Sequence, residues 1–161
     1  MKVVINTSWG GFGLSPKATK RLAELNGRKC YFYIHGRNEN GQIDIYSNVL
    51  VSMTQATKEF LWTAYDVPNI DEVLPSDADW NILTVEEQQA RSALYAKHSI
   101  ESRHFESRAD HKLIQVVEEL GSLANGAYAK LKIVEIPDGI EYEIDDYDGM
   151  ESVHEKHKVW S

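Results

Sequence analysis

Residues 9–17 bring together groups that could hold an anion. Gly10, Gly11 and Gly13 leave their peptide N–H groups without side-chain cover, and Ser15-Pro16 opens a helix directly after them. Bare N–H groups ahead of a helix N-terminus form a concavity of positive potential, suited to a phosphate or carboxylate. Lys17 and Lys20 would add charge, and Trp9 and Phe12 offer faces on which a base or sugar could stack. The spacing matches neither common phosphate loop. Pro16 occupies the third glycine slot of a dinucleotide fingerprint, and the Gly-Lys-Ser/Thr closure of a Walker A loop is missing. The competing reading is a tight turn in which the glycines supply positive φ while Trp9 and Phe12 pack inward.

Two further clusters carry titratable groups. Arg103 and Arg108, with His98, His104 and His111, form the densest basic set. Two arginines on an extended segment could clamp a phosphate or carboxylate through forked hydrogen bonds. They could equally pair with the chain's own carboxylates, and that use is the favoured one. Near the C-terminus, Asp145, Asp146, Asp148 and Glu151 precede His154 and His157. Oxygen donors beside a His-x-x-His pair could bind a divalent metal for hydrolysis. The spacing is not that of a calcium loop, because Ile144 stands where an acid is needed. A solvated acidic edge that discourages strand pairing is the favoured reading, so neither metal nor cofactor is expected.

Little points to nucleophilic catalysis. Cys30 begins an apolar run and reads as a small packed hydrophobe, and no Gly-x-Ser-x-Gly or His-Glu-x-x-His motif is present. The balance leans away from an enzyme.

The whole chain bounds these readings. Its 161 residues suit one domain, able to bury a core without disulfides or metal. The single cysteine fits a reducing compartment. The first residues, MKVVINTSWGG, hold an apolar run too short for a signal segment or membrane span, so a soluble cytoplasmic protein with no membrane partner is expected. With 25 acidic against 17 basic residues and a net charge of −8, sequence-independent nucleic-acid binding is disfavoured.

The elements that must position these groups read as α+β. Residues 2–6 predict a buried strand, and 16–25 a helix with Ser15 as cap and Asn26-Gly27 as its stop. Residues 30–51 predict a hairpin turning at Asn40-Gly41. Residues 54–67 read as either a helix capped by Thr54 or an extended segment, the helix being favoured, and 68–83 as an irregular acidic connection. Thr84-Val85-Glu86-Glu87 is a capping box opening a helix to about Ser99, and Asp110 caps another that Gly121 ends. Residues 131–144 predict a second hairpin around Pro137-Asp138-Gly139, and the tail after it is expected to end in a short helix. The expectation is a single α+β domain over residues 1–161, with a mixed or antiparallel sheet from the first strand and two hairpins, packed on three to four helices.

Two blocks, INTSWGGFGLS near the start and VVEELGSLANGAYAKLKIVEIPDGIEYEIDDYDGMESVHEKHKVW at the end, resemble a family of small uncharacterised proteins of bacteriophage and prophage genomes. The resemblance covers about half the chain. Thr7-Ser8-Trp9 stands where relatives tend to a Cys-Tyr pair, and His111 where a proline after the aspartate is usual. Any thiol chemistry of those relatives is therefore closed to this chain. The resemblance implies a phage accessory protein acting in the host cytoplasm, without implying an activity or site residues.

Three functions follow as expectations. The leading one is a binding protein that captures a small anionic ligand, a nucleotide or nucleotide-derived signal, as a counter-defence sponge. Its ligand would sit on Trp9–Gly13, Ser15 and Lys17, with charge from Arg103 and Arg108. The second is an inhibitor that binds a host protein through the acidic tail and exposed aromatics such as Trp160. The third is a metal-dependent hydrolase. A homo-oligomer is compatible with all three.

Overall fold

The structure is a computed structural model that describes residues 1–74, 80–101 and 105–156. In chain order its elements are β1 (Lys2–Asn6), α1 (Pro16–Leu25), β2 (Tyr31–Arg37), β3 (Ile43–Val51), α2 (Met53–Lys58), β4 (Thr63–Tyr65), α3 (Ile70–Val73), α4 (Val85–His98), α5 (His111–Leu120), β5 (Leu131–Glu135), β6 (Tyr142–Tyr147) and β7 (Met150–Glu155). The fold is α+β, with antiparallel pairing in each of three small sheets: β1-β5, β3-β2-β4 and β6-β7. The chain divides into two compact units, Met1–Leu25 with Ser102–Ser161, and Asn26–Glu101.

In the first unit, β1 is short, β-branched and almost wholly buried, and it pairs with β5 from Lys2 opposite Glu135 to Asn6 opposite Leu131. Helices α1 and α5 cover it. Ser15 caps α1 by accepting the Ala18 N–H at 3.1 Å, and Ala18 and Leu22 recur one turn apart on its buried face. Asp110 caps α5 by accepting the Lys112 and Leu113 N–H groups, and Leu113, Val116 and Val117 face inward. These side chains close one core with Val4, Phe12, Leu14 and Ala124.

The second unit is built on β3-β2-β4. Tyr33 of β2, Tyr65 of β4 and Ile70 of α3 form its buried aromatic centre. The hairpin loop turns at Gly41, where φ is +75°. Three residues of β3 leave the ladder: His35 faces Asn48, but Gly36 faces Asp44, so 45–47 bulge outward. Thr84 and Glu87 complete the capping box of α4. The far end of α4 is tied down by Arg28, which donates to the carbonyls of Lys97 and Ser99 and to Asp66. The carboxylate of Asp66 in turn holds His98 Nδ1 at 2.7 Å.

Three expectations are corrected. Residues 131–144 do not form a hairpin, because β5 pairs with β1 and β6 with β7. The apolar β1 needs a strand partner, and it finds one more than a hundred residues away. The tail is strand over Met150–Glu155, because Asp148 and Gly149 both take positive φ (51° and 86°) and turn the chain back along β6. That is the geometry of a two-residue Asp-Gly hairpin turn. Residues 157–161, where the expected helix would end the tail, lie outside the described residues. Residues 54–67 hold α2 from its second residue, a six-residue helix capped by Ser52 rather than Thr54, and then the extended β4, whose Ala64 completes the ladder beside Phe32.

Candidate functional site

The glycine loop leaves β1 and is held from both sides by its own chain. A Cβ on Gly10 would collide with Tyr128, and one on Gly149 would collide with the backbone nitrogen of Gly11. A Cβ on Gly126 would stand 2.8 Å from the carbonyl carbon of Gly13, whose oxygen accepts the Gly126 N–H at 2.9 Å. The loop is thus clamped between residues 126–128 and the Asp148-Gly149 turn. Gly11 has a φ of +83°, which glycine adopts without strain.

Asn6 ties the clamp together from a fully buried position. Its side-chain amide donates to the carbonyls of Ser8 at 2.7 Å and Gly149 at 2.6 Å. Its oxygen accepts from the backbone of Lys130 at 2.8 Å. Three chain segments converge on this one side chain.

Beneath the loop, Phe12 is buried and packs edge-to-face on Phe105. Arg108 lies over the Phe12 ring, 3.5 Å from its centroid, and forks onto Glu151 at 2.6 and 3.2 Å. The same Glu151 carboxylate accepts the backbone N–H of Asn6 at 2.8 Å, while the Arg108 carbonyl accepts that of Val4. The ion pair therefore joins β7 to β1 and to the turn segment before α5.

Above the loop the surface is aromatic. Trp9 is 59% exposed and Tyr147 is 77% exposed, yet their rings meet edge-to-face at 6.0 Å. Tyr128 is exposed beside Gly10, and its carbonyl accepts the Ser8 hydroxyl. The β6-β7 hairpin that carries Tyr147 also carries the exposed carboxylates Asp145, Asp146 and Asp148. Asp146 braces the turn by accepting the Gly149 N–H at 2.7 Å.

Trp9–Gly13, Ser15 and Arg108 therefore belong to one unit, and Phe12 brings the loop against Arg108. Their roles divide. Trp9 faces outward and Phe12 inward; the Ser15 hydroxyl caps α1 and donates to the Leu123 carbonyl at 2.6 Å. Lys17 is exposed on the first turn of α1. His98 lies in the other unit on Asp66, Cys30 is half-buried just before β2, and His111 is exposed at the start of α5. Arg103, His104, His157 and Trp160 lie outside the described residues.

The acidic tail does not converge. Strand alternation sends Asp145 and Asp146 to opposite faces of the hairpin, and His154 Nε2 stands 3.6 Å from Asp145 and 2.8 Å from the Ser152 hydroxyl. Among the described residues, no three His, Cys, Asp or Glu side chains group to hold a metal ion. Among the same residues, no helix is long and apolar enough to cross a membrane.

Pattern reading of the sequence overlooked Asn6, Gly126 and Gly149. Asn6 and Gly126 carry no local signature. Gly149 does, as the second half of an Asp-Gly hairpin dipeptide. No protein-family model, curated protein or solved structure matches the chain.

Proposed function

We propose that this chain is a non-catalytic binding protein whose partner is another protein, docked by a Lys/Arg-bearing segment on the face formed by Trp9 and Tyr147. The observation that carries the reading is the pairing of two large, mostly exposed aromatic rings, Trp9 on a loop that the chain packs closely from both sides and Tyr147 at the end of β6. Aromatic side chains held rigid outside the core lose little entropy on binding and are typical interface anchors. The hairpin that carries Tyr147 also exposes Asp145, Asp146 and Asp148, which favours a cationic segment whose ammonium or guanidinium groups could lie on the ring faces.

The same arrangement argues against small-anion capture at the loop. The guanidinium of Arg108 already forks onto a carboxylate, and Gly149 packs against the nitrogen of Gly11. The family resemblance suggests the setting, a phage accessory protein that blocks a host component in the host cytoplasm.

Calorimetric titration with Lys/Arg-rich peptides, and separately with mono-, di- and cyclic nucleotides, tests the proposal. Peptide binding that weakens with salt and disappears in Trp9→Ala/Tyr147→Ala supports it. Nucleotide binding that survives that double substitution would replace it with anion capture.

A further inference from the structure

We infer that two copies of this chain associate through strand β3. The strand is the outer member of β3-β2-β4, so among the described residues one of its edges has no strand beside it. Five of its side chains are large, apolar and open to solvent: Ile43 (55%), Ile45 (62%), Tyr46 (68%), Val49 (43%) and Leu50 (49%). Exposed edges are ordinarily protected by lysine or proline, and Ile43–Val51 contains neither.

The register selects the edge rather than either face as the contact. Leu50 lies beside Tyr33 and Val49 beside Ile34, so the two project to opposite faces of the sheet. A partner laid on one face would leave the other apolar group wet, whereas a strand alongside reaches both. At their observed exposure the five side chains present on the order of 600 Å², most of the roughly 800 Å² that each side of a standard interface contributes. Asn48–Val51, the straight stretch next to the bulge, supplies backbone groups for pairing. The bulge turns Ile45 and Tyr46 outward at the flank.

Charge selects the occupant. Copies of a chain with net charge −8 repel one another unless they meet where charge is scarce. The nine residues of β3 carry one charged group, Asp44, whose carboxylate accepts the Tyr46 N–H at 3.0 Å. A strongly charged partner would find little to pair with here. A second copy meets less repulsion here than a more acidic surface would impose, and antiparallel pairing about a two-fold axis makes the patch self-complementary. This association involves a surface separate from the Trp9 face and does not depend on the partner proposed there.

Sedimentation equilibrium over a concentration series tests the inference. The expected result is a species of about twice 18.3 kDa, with Val49→Lys/Leu50→Lys sedimenting as a folded monomer and Trp9→Ala/Tyr147→Ala still as a dimer. Should the first pair fail to fold, Ile45→Lys/Tyr46→Lys, which lies in the bulge outside the ladder, is expected to give the same monomer. A wild-type monomer at all concentrations, or a dimer that persists in the folded lysine variants, would overturn it.

Discussion

The guanidinium of Arg108 meets the carboxylate of Glu151 through two hydrogen bonds, in the first unit's interior beside the Phe12 ring. Only 4% of the Glu151 side chain is exposed, and its second duty is to accept the Asn6 N–H. An arginine that could have served a ligand is thereby a structural tie between β7 and β1.

Breaking the pair from either side leaves a charge desolvated without its counter-ion, which typically costs about 3–5 kcal/mol. Glu151→Ala also strands the Asn6 N–H, so denaturant unfolding of this variant is expected to show a loss at least as large as that of Arg108→Ala. Equal stability of Glu151→Ala and the wild type would contradict the role assigned to the pair.

Glycine substitutions separate backbone conformation from close packing. Gly139 and Gly149 both have positive φ (78° and 86°), but a Cβ on Gly139 meets open space while one on Gly149 runs into Gly11. Left-handed strain alone costs about 1–3 kcal/mol, so Gly139→Ala should fall at the low end of that range. Gly149→Ala should lose about 2 kcal/mol more, and thermal unfolding of the two variants reads the difference directly.

Acid should loosen the second unit at Asp66. Burial pushes its carboxyl up, but hydrogen bonds from His98 and Arg28, with the charge of Arg28, outweigh burial and hold it below the ordinary value of 3.8. A group depressed in the folded state contributes stability above its unfolded pKa and loses it as pH falls through the folded one. Stability is therefore expected to decline below about pH 4, and Asp66→Asn should flatten that limb of the pH–stability curve.

Alkali should act on the same unit through Tyr65. Burial first, and the neighbouring Tyr95 second, push its hydroxyl up to about 12 from 10. Here the folded pKa is the higher one, so the contribution is complete below pH 10 and lost as pH rises toward 12. Tyr65→Phe should reduce the alkaline loss, read as Tm against pH.

Local chemistry was legible in the sequence and distant pairing was not. The Ser15, Thr84 and Asp110 caps lie within three residues of the N–H groups they satisfy, and all three helices start where those residues predict. The β1-β5 ladder and the Asn6–Glu151 bond join positions more than a hundred residues apart, where neither strand nor side chain carries a local sign of its partner. Of the two aromatics singled out in the glycine loop, Phe12 packs inward as the turn reading expects. Trp9 does not, because the Asp148-Gly149 turn places Tyr147 against it on the outside.

The most direct test of partner docking is a two-dimensional ¹⁵N NMR titration of the protein, first with a Lys/Arg-rich peptide and then with a nucleotide panel. Shifts confined to the Trp9 indole, Gly10, Tyr128 and residues 145–149 with the peptide, and none with nucleotides, are the predicted result. Nucleotide-induced shifts at Gly10–Gly13 and Arg108, with the peptide silent, would contradict it.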